Sequence, residues 1–382
     1  MTGRETDGTM IKVLHIFGKM DRGGAEMRTL ELMPLLAEKG VCFDFCTLKE
    51  GEGQLDERIV RLGGNVIPFL LKPHYFKFGR QFVKFLRASN YDIVHSHVHY
   101  ASGYIAGLAY QAGVKGRIVH FRNTKDGRPN SYVRQLYRYI MRFLVGRYAT
   151  SILAVCRGAM ECSWGLDWED DSRASVIYNG LDLRPFQKAS SIRESLLREL
   201  NLPPNCKLVV NVGSFNKKKG HSVLLKAAAQ IIQNRKDIHF LLIGKGPLQE
   251  ELVDSIQTLG VSEIVHCLGV RNDVPNVLMS SDCFVLPSLW EGLPGVVLEA
   301  KAASLPIVAT DLPGVREIAE TTSDITMVPV GDPNALAESI VDICTRLHSN
   351  LERSIEIPQR FQLEHCAEAL CKIYKSQVAE TP

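Results

Sequence analysis

Glu291 and Glu299 stand eight positions apart in the stretch Ser288-Leu-Trp-Glu-Gly-Leu-Pro-Gly-Val-Val-Leu-Glu-Ala. On one continuous helix they would lie roughly 12 Å apart along the axis, too far to grip one small group. Glu291 is therefore expected on a loop and Glu299 on the first turn of the helix that follows. Pro294 and Gly295 let the backbone turn tightly and leave unpaired N–H groups at the helix start. Together with the N–H groups after Gly292 and Leu293 and the helix dipole, these attract phosphate. A carboxylate one turn into the helix can accept both hydrogens of a ribose diol, and the loop carboxylate can reach the next part of the same ligand. That combination describes a sugar-nucleotide pocket. The competing explanation is a helix-capping Glu299 and a solvated Glu291.

A second candidate is Lys219-Gly220, which ends a turn opened by Gly213 and Ser214 after the apolar run Lys207–Val212. It places an ammonium where a diphosphate would lie at a helix start, with Lys217 or Lys218 as substitutes. A Lys run is otherwise a solvated turn. Gly244-Lys-Gly246 follows another apolar run, but Pro247 and the lack of a third glycine spoil a dinucleotide fingerprint. His95, His97 and His99 fall on one face of an expected strand at period two. Neither carboxylate nor cysteine accompanies them at ligand spacing, so no metal is expected. His120 and Arg122 share one face of the next strand, Lys115 to Asn123.

The elements that must position these groups alternate strand and helix along the chain, which implies parallel sheets with binding loops at their carboxyl edges. Expected strands include Ile11–Phe17, 41–48, 65–71, 91–97, 115–123, 151–155 and 175–182, then 207–213, 239–244, 265–269, 283–286 and 306–310. Pro34 should kink or shorten the first helix, 25–39. The length of 382 residues suits two domains. Their expected bounds are a disordered leader at 1–9, a first Rossmann-like domain at 10–183, a linker at 184–206 marked by Pro203-Pro204, a second Rossmann-like domain at 207–355 and a C-terminal helix in 356–382 that crosses back to the first domain.

An apolar fraction of 45% and a charged fraction of 23% are those of a soluble globular protein. Ten cysteines without a C-x-x-C pair argue for reduced thiols in a cytoplasmic setting. The net charge of +3 hides an asymmetry, because residues 72–147 hold fourteen Lys and Arg against Asp92 and Asp126. Such a field attracts anionic lipid headgroups, lipid-linked phosphates or nucleic acid, and no nucleic-acid motif accompanies it. The segment 131–148 alternates Arg with large apolar residues, as a membrane-surface helix or a core helix with a basic outer face would.

The Ser288-x-x-Glu-Gly and Glu299-Ala pattern, with Lys219-Gly220, Gly23-Gly24-Ala25-Glu26 and Asn179-Gly180-Leu-Asp182, resembles the retaining glycosyltransferases of family 4, also called glycosyl transferases group 1. The resemblance covers most of the chain and is of the bacterial polysaccharide or lipid-linked glycan type. It implies an α/β fold of two doubly wound Rossmann-like domains facing across a cleft (GT-B). The donor, a UDP- or GDP-linked sugar, would bind mainly the second domain without cofactor or metal. Glu291 would support the sugar, Lys219 the leaving diphosphate and Glu299 the ribose. Gly213, Ser214, Gly244, Gly246, Gly292, Leu293, Pro294 and Gly295 would border the donor. Arg271 and Val274 lie in the segment whose backbone pairs with the base. Gly23, Gly24, His97 and Asn123 would face the acceptor, a glycan or lipid-linked hydroxyl. Relatives carry histidine near the transferred sugar where this register places Arg122, with His120 two residues earlier; both are catalytic candidates. Ser214 stands where relatives have arginine. Alternatives are an epimerase or hydrolase acting on nucleotide-sugars, or a binding protein without catalysis. The expected location is cytoplasmic, peripheral on the inner face of the membrane.

Overall fold

The computed structural model describes residues 10–71, 74–321, 324–346 and 357–379. The expected leader at 1–9 lies outside them. The chain forms two compact units, one of residues 1–180 with 363–382 and one of residues 181–362.

The first unit contains β1 (Ile11–Phe17), β2 (Val41–Thr47), β3 (Val66–Pro68), β4 (Ile93–Ser96), β5 (Gly116–Phe121), β6 (Ser151–Ala154) and β7 (Ala174–Val176). All pair in parallel, in the order β3-β2-β1-β4-β5-β6-β7. β1 can lie centrally because its residues are almost all apolar and buried, as a strand covered on both faces requires. The helix Gly24–Ala37 continues three residues past Pro34. Proline there removes one backbone bond close to the helix end, too late to divide it. The helix Leu363–Val378 buries Leu363, Cys366, Ala367, Leu370, Cys371 and Tyr374 in the same core as Val13, Leu30 and Phe43.

The second unit contains β8 (Lys207–Val212), β9 (Ile238–Ile243), β10 (Val265–Gly269), β11 (Cys283–Leu286), β12 (Ile307–Thr310) and β13 (Ile325–Val328), again parallel, in the order β10-β9-β8-β11-β12-β13. β13 was not expected. The linker assigned to 184–206 needs correction. It carries helices Arg184–Lys188 and Arg193–Glu199, which bury Phe186, Leu196 and Leu197. Arg193 binds the Ser280 and Cys206 carbonyls and the Asp282 carboxylate, so this segment is part of the second unit.

Candidate active site

β8 and β11 are adjacent, so the turns at their carboxyl ends meet. Gly220, with φ of +65°, lets the Lys217–Lys219 turn close against β11, because a Cβ there would meet the Pro287 carbonyl oxygen. Leu289 N–H then donates to the Lys218 carbonyl at 2.8 Å. Thr310 Oγ1 donates to the Ser288 carbonyl at 2.7 Å, which fixes the loop from the β12 side. Gly213 gives the Lys219 stem room to lie along the end of β8.

These contacts deliver two ammonium groups to one carboxylate. Lys219 Nζ lies 2.8 Å from Glu291 Oε1, and Lys218 Nζ 2.6 Å from Oε2. Ser288 donates to Oε1 at 3.0 Å. Burial would raise the Glu291 pKa, but the two lysines reverse this and hold it at about 2. Glu291 is thus a fixed anion and the cluster carries one excess positive charge. The sequence pointed to Lys219, with Lys217 or Lys218 as substitutes; the structure brings Lys218 to the carboxylate beside Lys219.

Glu299 is half-buried on the helix Gly295–Ala302, whose N-cap Pro294 supplies no side-chain cap. It lies on the second turn, one turn later than expected, because the helix already begins at Gly295. Gly292, Leu293 and Pro294 are buried, and Gly314 is tight against the Gly292 carbonyl. Ser214 accepts from Asn216 Nδ2 at 2.7 Å. Gly244 and Gly246 press their backbones against Gly213 and Phe215. Val274 opens the helix Val274–Ser280. Arg271 is held by Asp273 at 2.9 Å and Glu199 at 3.0 Å, so its guanidinium clamps the Arg193–Glu199 helix to this segment.

In the first unit, the carboxyl ends of β1, β4 and β5 assemble a histidine array. His15 and His95 are register partners, and His15 Nδ1 lies 2.9 Å from His97 Nε2. Arg122 follows β5 and donates Nε–H to His97 Nδ1 at 3.1 Å. That bond decides the tautomers: His97 accepts at Nδ1, so its Nε2 carries the proton and donates to His15 Nδ1. His15 Nε2 then carries a proton, and it is buried without a partner. Behind this pair, His95 bonds the Tyr374 hydroxyl at 2.8 Å and His120 Nδ1 at 3.2 Å. His120 is 1% exposed and its Nε2 is buried, so it faces the interior while Arg122 stands at the edge. Burial depresses the pKa of all four histidines, with Arg122 adding to the effect.

His99 does not share the face of His95 and His97. The strand ends at Ser96, which bonds Ser102, and His99 starts a 3-10 turn with φ of +53°. The trio that comes together is instead His15, His95 and His97, with nitrogens within 4.8 Å of one another. These are the groups that could hold a metal, yet the Arg122 cation already donates into the trio, which opposes a second cation there. Gly23 is the N-cap of the Gly24–Ala37 helix, with the Glu26 carboxylate folded back beside it. Asn123 follows Arg122 and is half-buried.

The family model Glycosyltransferase Family 4 matches residues 22–184, and Glycosyl transferases group 1 matches residues 206–346. An Escherichia coli UDP-Gal:alpha-D-GlcNAc-diphosphoundecaprenol alpha-1,3-galactosyltransferase is 30% identical over 271 residues, 68% of each chain. The chain belongs to glycosyltransferase family 4. The capsular polysaccharide biosynthesis glycosyltransferase CapH of Staphylococcus aureus is 27% identical over 342 residues, 88% of this glycosyltransferase and 92% of CapH. The crystal structure of Anabaena HepE with UDP and glucose shares the fold at a TM-score of 0.73 and 20% identity, covering 97% and 98% of the two chains. No helix among the described residues of this glycosyltransferase is long and apolar enough to cross a membrane.

Proposed function

We propose that this glycosyltransferase moves a sugar from a UDP- or GDP-linked donor to a hydroxyl of a glycan or lipid-linked acceptor, with retention at the anomeric carbon and without a metal. The observation that carries the reading is the Lys218–Glu291–Lys219 cluster beside the uncapped helix Gly295–Ala302. Its excess positive charge suits a diphosphate that gains negative charge as the sugar leaves. The substrates in the name of the Escherichia coli relative, a UDP-sugar and a diphosphoundecaprenol-linked acceptor, support the choice of classes.

In this reading Lys219 and Lys218 hold the diphosphate, and Glu299 binds the ribose. Glu291, relieved of part of its lysine contact by the phosphates, supports positive charge on the sugar without forming an ester to it. The departing diphosphate accepts the acceptor's proton. Arg122 and His97 belong to the acceptor side, and His120 supports them from within.

The test is a thermal titration with nucleotide-sugars, since a ligand that binds the folded state raises the melting temperature. One nucleotide and its sugar conjugates should stabilise the protein. Glu299→Ala should weaken that binding about tenfold or more, while Glu291→Gln should lower kcat by about a hundredfold or more with donor affinity nearly kept. EDTA should leave the rate unchanged. Normal transfer by both variants would overturn the assignment.

A further inference from the structure

Arg122 differs from the arginines of the first unit that are paired with a carboxylate, and from Arg117, whose fork is spent on three backbone carbonyls. Arg134 and Arg138 share the Asp126 carboxylate at 2.7 and 2.9 Å, and Arg173 sits on Asp171 at 2.8 Å. Arg122 has three hydrogen-bonded neighbours, all neutral acceptors: His97 Nδ1 at 3.1 Å, Asn179 Oδ1 at 2.7 Å and Thr29 Oγ1 at 3.2 Å. Among the described residues no carboxylate lies within ion-pair distance of it, and Glu26 acts on it only through space. A guanidinium withdrawn from water without a counter-ion is costly. The cost is tolerated here by a frame that fixes the plane of the fork from three elements: the end of β4, the helix Gly24–Ala37 and the segment before the unit closes at Gly180. Three of the five N–H hydrogens of an arginine are used in that frame, and two remain. The fork stands just past β5, at the carboxyl edge where open α/β sheets bind ligands.

We propose that Arg122 is the recognition group of an oxyanion subsite in the first unit, which takes a phosphate or a carboxylate carried by the substrate. A fixed guanidinium fork with two free N–H groups matches the paired oxygens of either group and neutralises its charge. A neutral hydroxyl would satisfy one N–H and leave the cation uncompensated. The subsite therefore selects anionic over neutral substrates. It deepens the function proposed above by naming the chemistry of the group bound on the acceptor side, and it rests on that reading for the ligand's role as a substrate.

The full chain, labelled with 15N-histidine, is titrated with inorganic pyrophosphate and separately with glucuronate, at constant ionic strength set by chloride. Wild type should bind one of the two with a shift of the His97 ring signals, the histidine in contact with Arg122. Response to pyrophosphate identifies the source as a substrate phosphate, and response to glucuronate as an acidic sugar. Arg122→Gln should abolish the His97 response. Arg122→Lys keeps the charge but loses the fork, and should weaken binding about tenfold; it decides the matter if Arg122→Gln does not fold. Nucleotide-sugar stabilisation should survive in both variants. The subsite is overturned if neither anion moves His97, if chloride alone moves it equally, or if the folded variants bind as wild type does. Loss of nucleotide-sugar binding in wild type, with the Arg122-dependent anion response intact, would instead overturn the proposed function and leave the subsite standing.

Discussion

Glu291 has both carboxylate oxygens engaged by lysines before any ligand arrives, and four histidines of the first unit are buried as neutral rings. These two sets respond to acid in separate windows. A histidine whose folded pKa is depressed takes up its proton in the unfolded chain first. Its contribution to stability is complete above the unfolded value of about 6.5 and is lost as pH falls below it. His15, His95, His97 and His120 each add up to about 1.4 kcal/mol per pH unit to that slope. Glu291, held at about 2, contributes stability that is present above the unfolded carboxylate value and lost only as pH falls from there towards 2. Denaturant titrations should therefore show stability already falling between pH 6.5 and 5, before carboxylates titrate. A flat profile over that range would contradict neutral burial of the array. Lys218 was not distinguishable from Lys217 in the sequence, because consecutive lysines carry no record of which one a turn brings inward.

At the scale of elements, Gly220 and the Tyr132–Tyr148 helix make the sharpest demands. Gly220→Ala imposes a left-handed conformation on a residue with a side chain and drives its Cβ at the Pro287 carbonyl. It should cost about 2 kcal/mol or more and pull the lysine turn away from Glu291, read as a lower melting temperature with weakened donor binding. The Tyr132–Tyr148 helix exposes Tyr132 at 91%, Val133 at 80%, Tyr139 at 72% and Phe143 at 65%. Asp126, whose pKa is pulled well below the carboxylate range despite burial, is consumed by Arg134 and Arg138. A face of this kind suits an anionic lipid surface. Sedimentation should show binding to phosphatidylglycerol vesicles that declines with salt; equal binding to neutral vesicles would count against it. Strands with continuous apolar runs, such as β1, β8 and β11, could be read from the sequence because burial on both faces demands them. β13 was missed because only Val328 of its four residues is buried. Residues 65–71 and 175–182 were read too long: β3 and β7 are three-residue edge strands, where apolar residues continue into the loops. Glu291 and Lys219 were legible through loop spacing, whereas Tyr374 carries no local signal of its bond to His95, 279 positions away.

For the molecule as a whole, the first unit takes its last helix from beyond the second. Leu363, Leu370 and Tyr374 alone bury side chains worth about 1.5–3 kcal/mol each, against a typical domain stability of about 5–15 kcal/mol. A chain stopped at Gln362 should therefore lose the fold of the first unit. The second should still bind the nucleotide-sugar, and limited proteolysis with donor titration would check both. The same borrowing imposes an order of events during synthesis. With translation at about 5–20 residues per second, residues 181–362 take roughly 10–35 s to make. Throughout that interval the first seven strands exist without the helix that covers Val13, Leu30 and Phe43. The nascent first unit must wait, with part of its apolar surface bare, while the second can fold ahead of it, so chaperone demand should fall on the amino-terminal half of the growing chain.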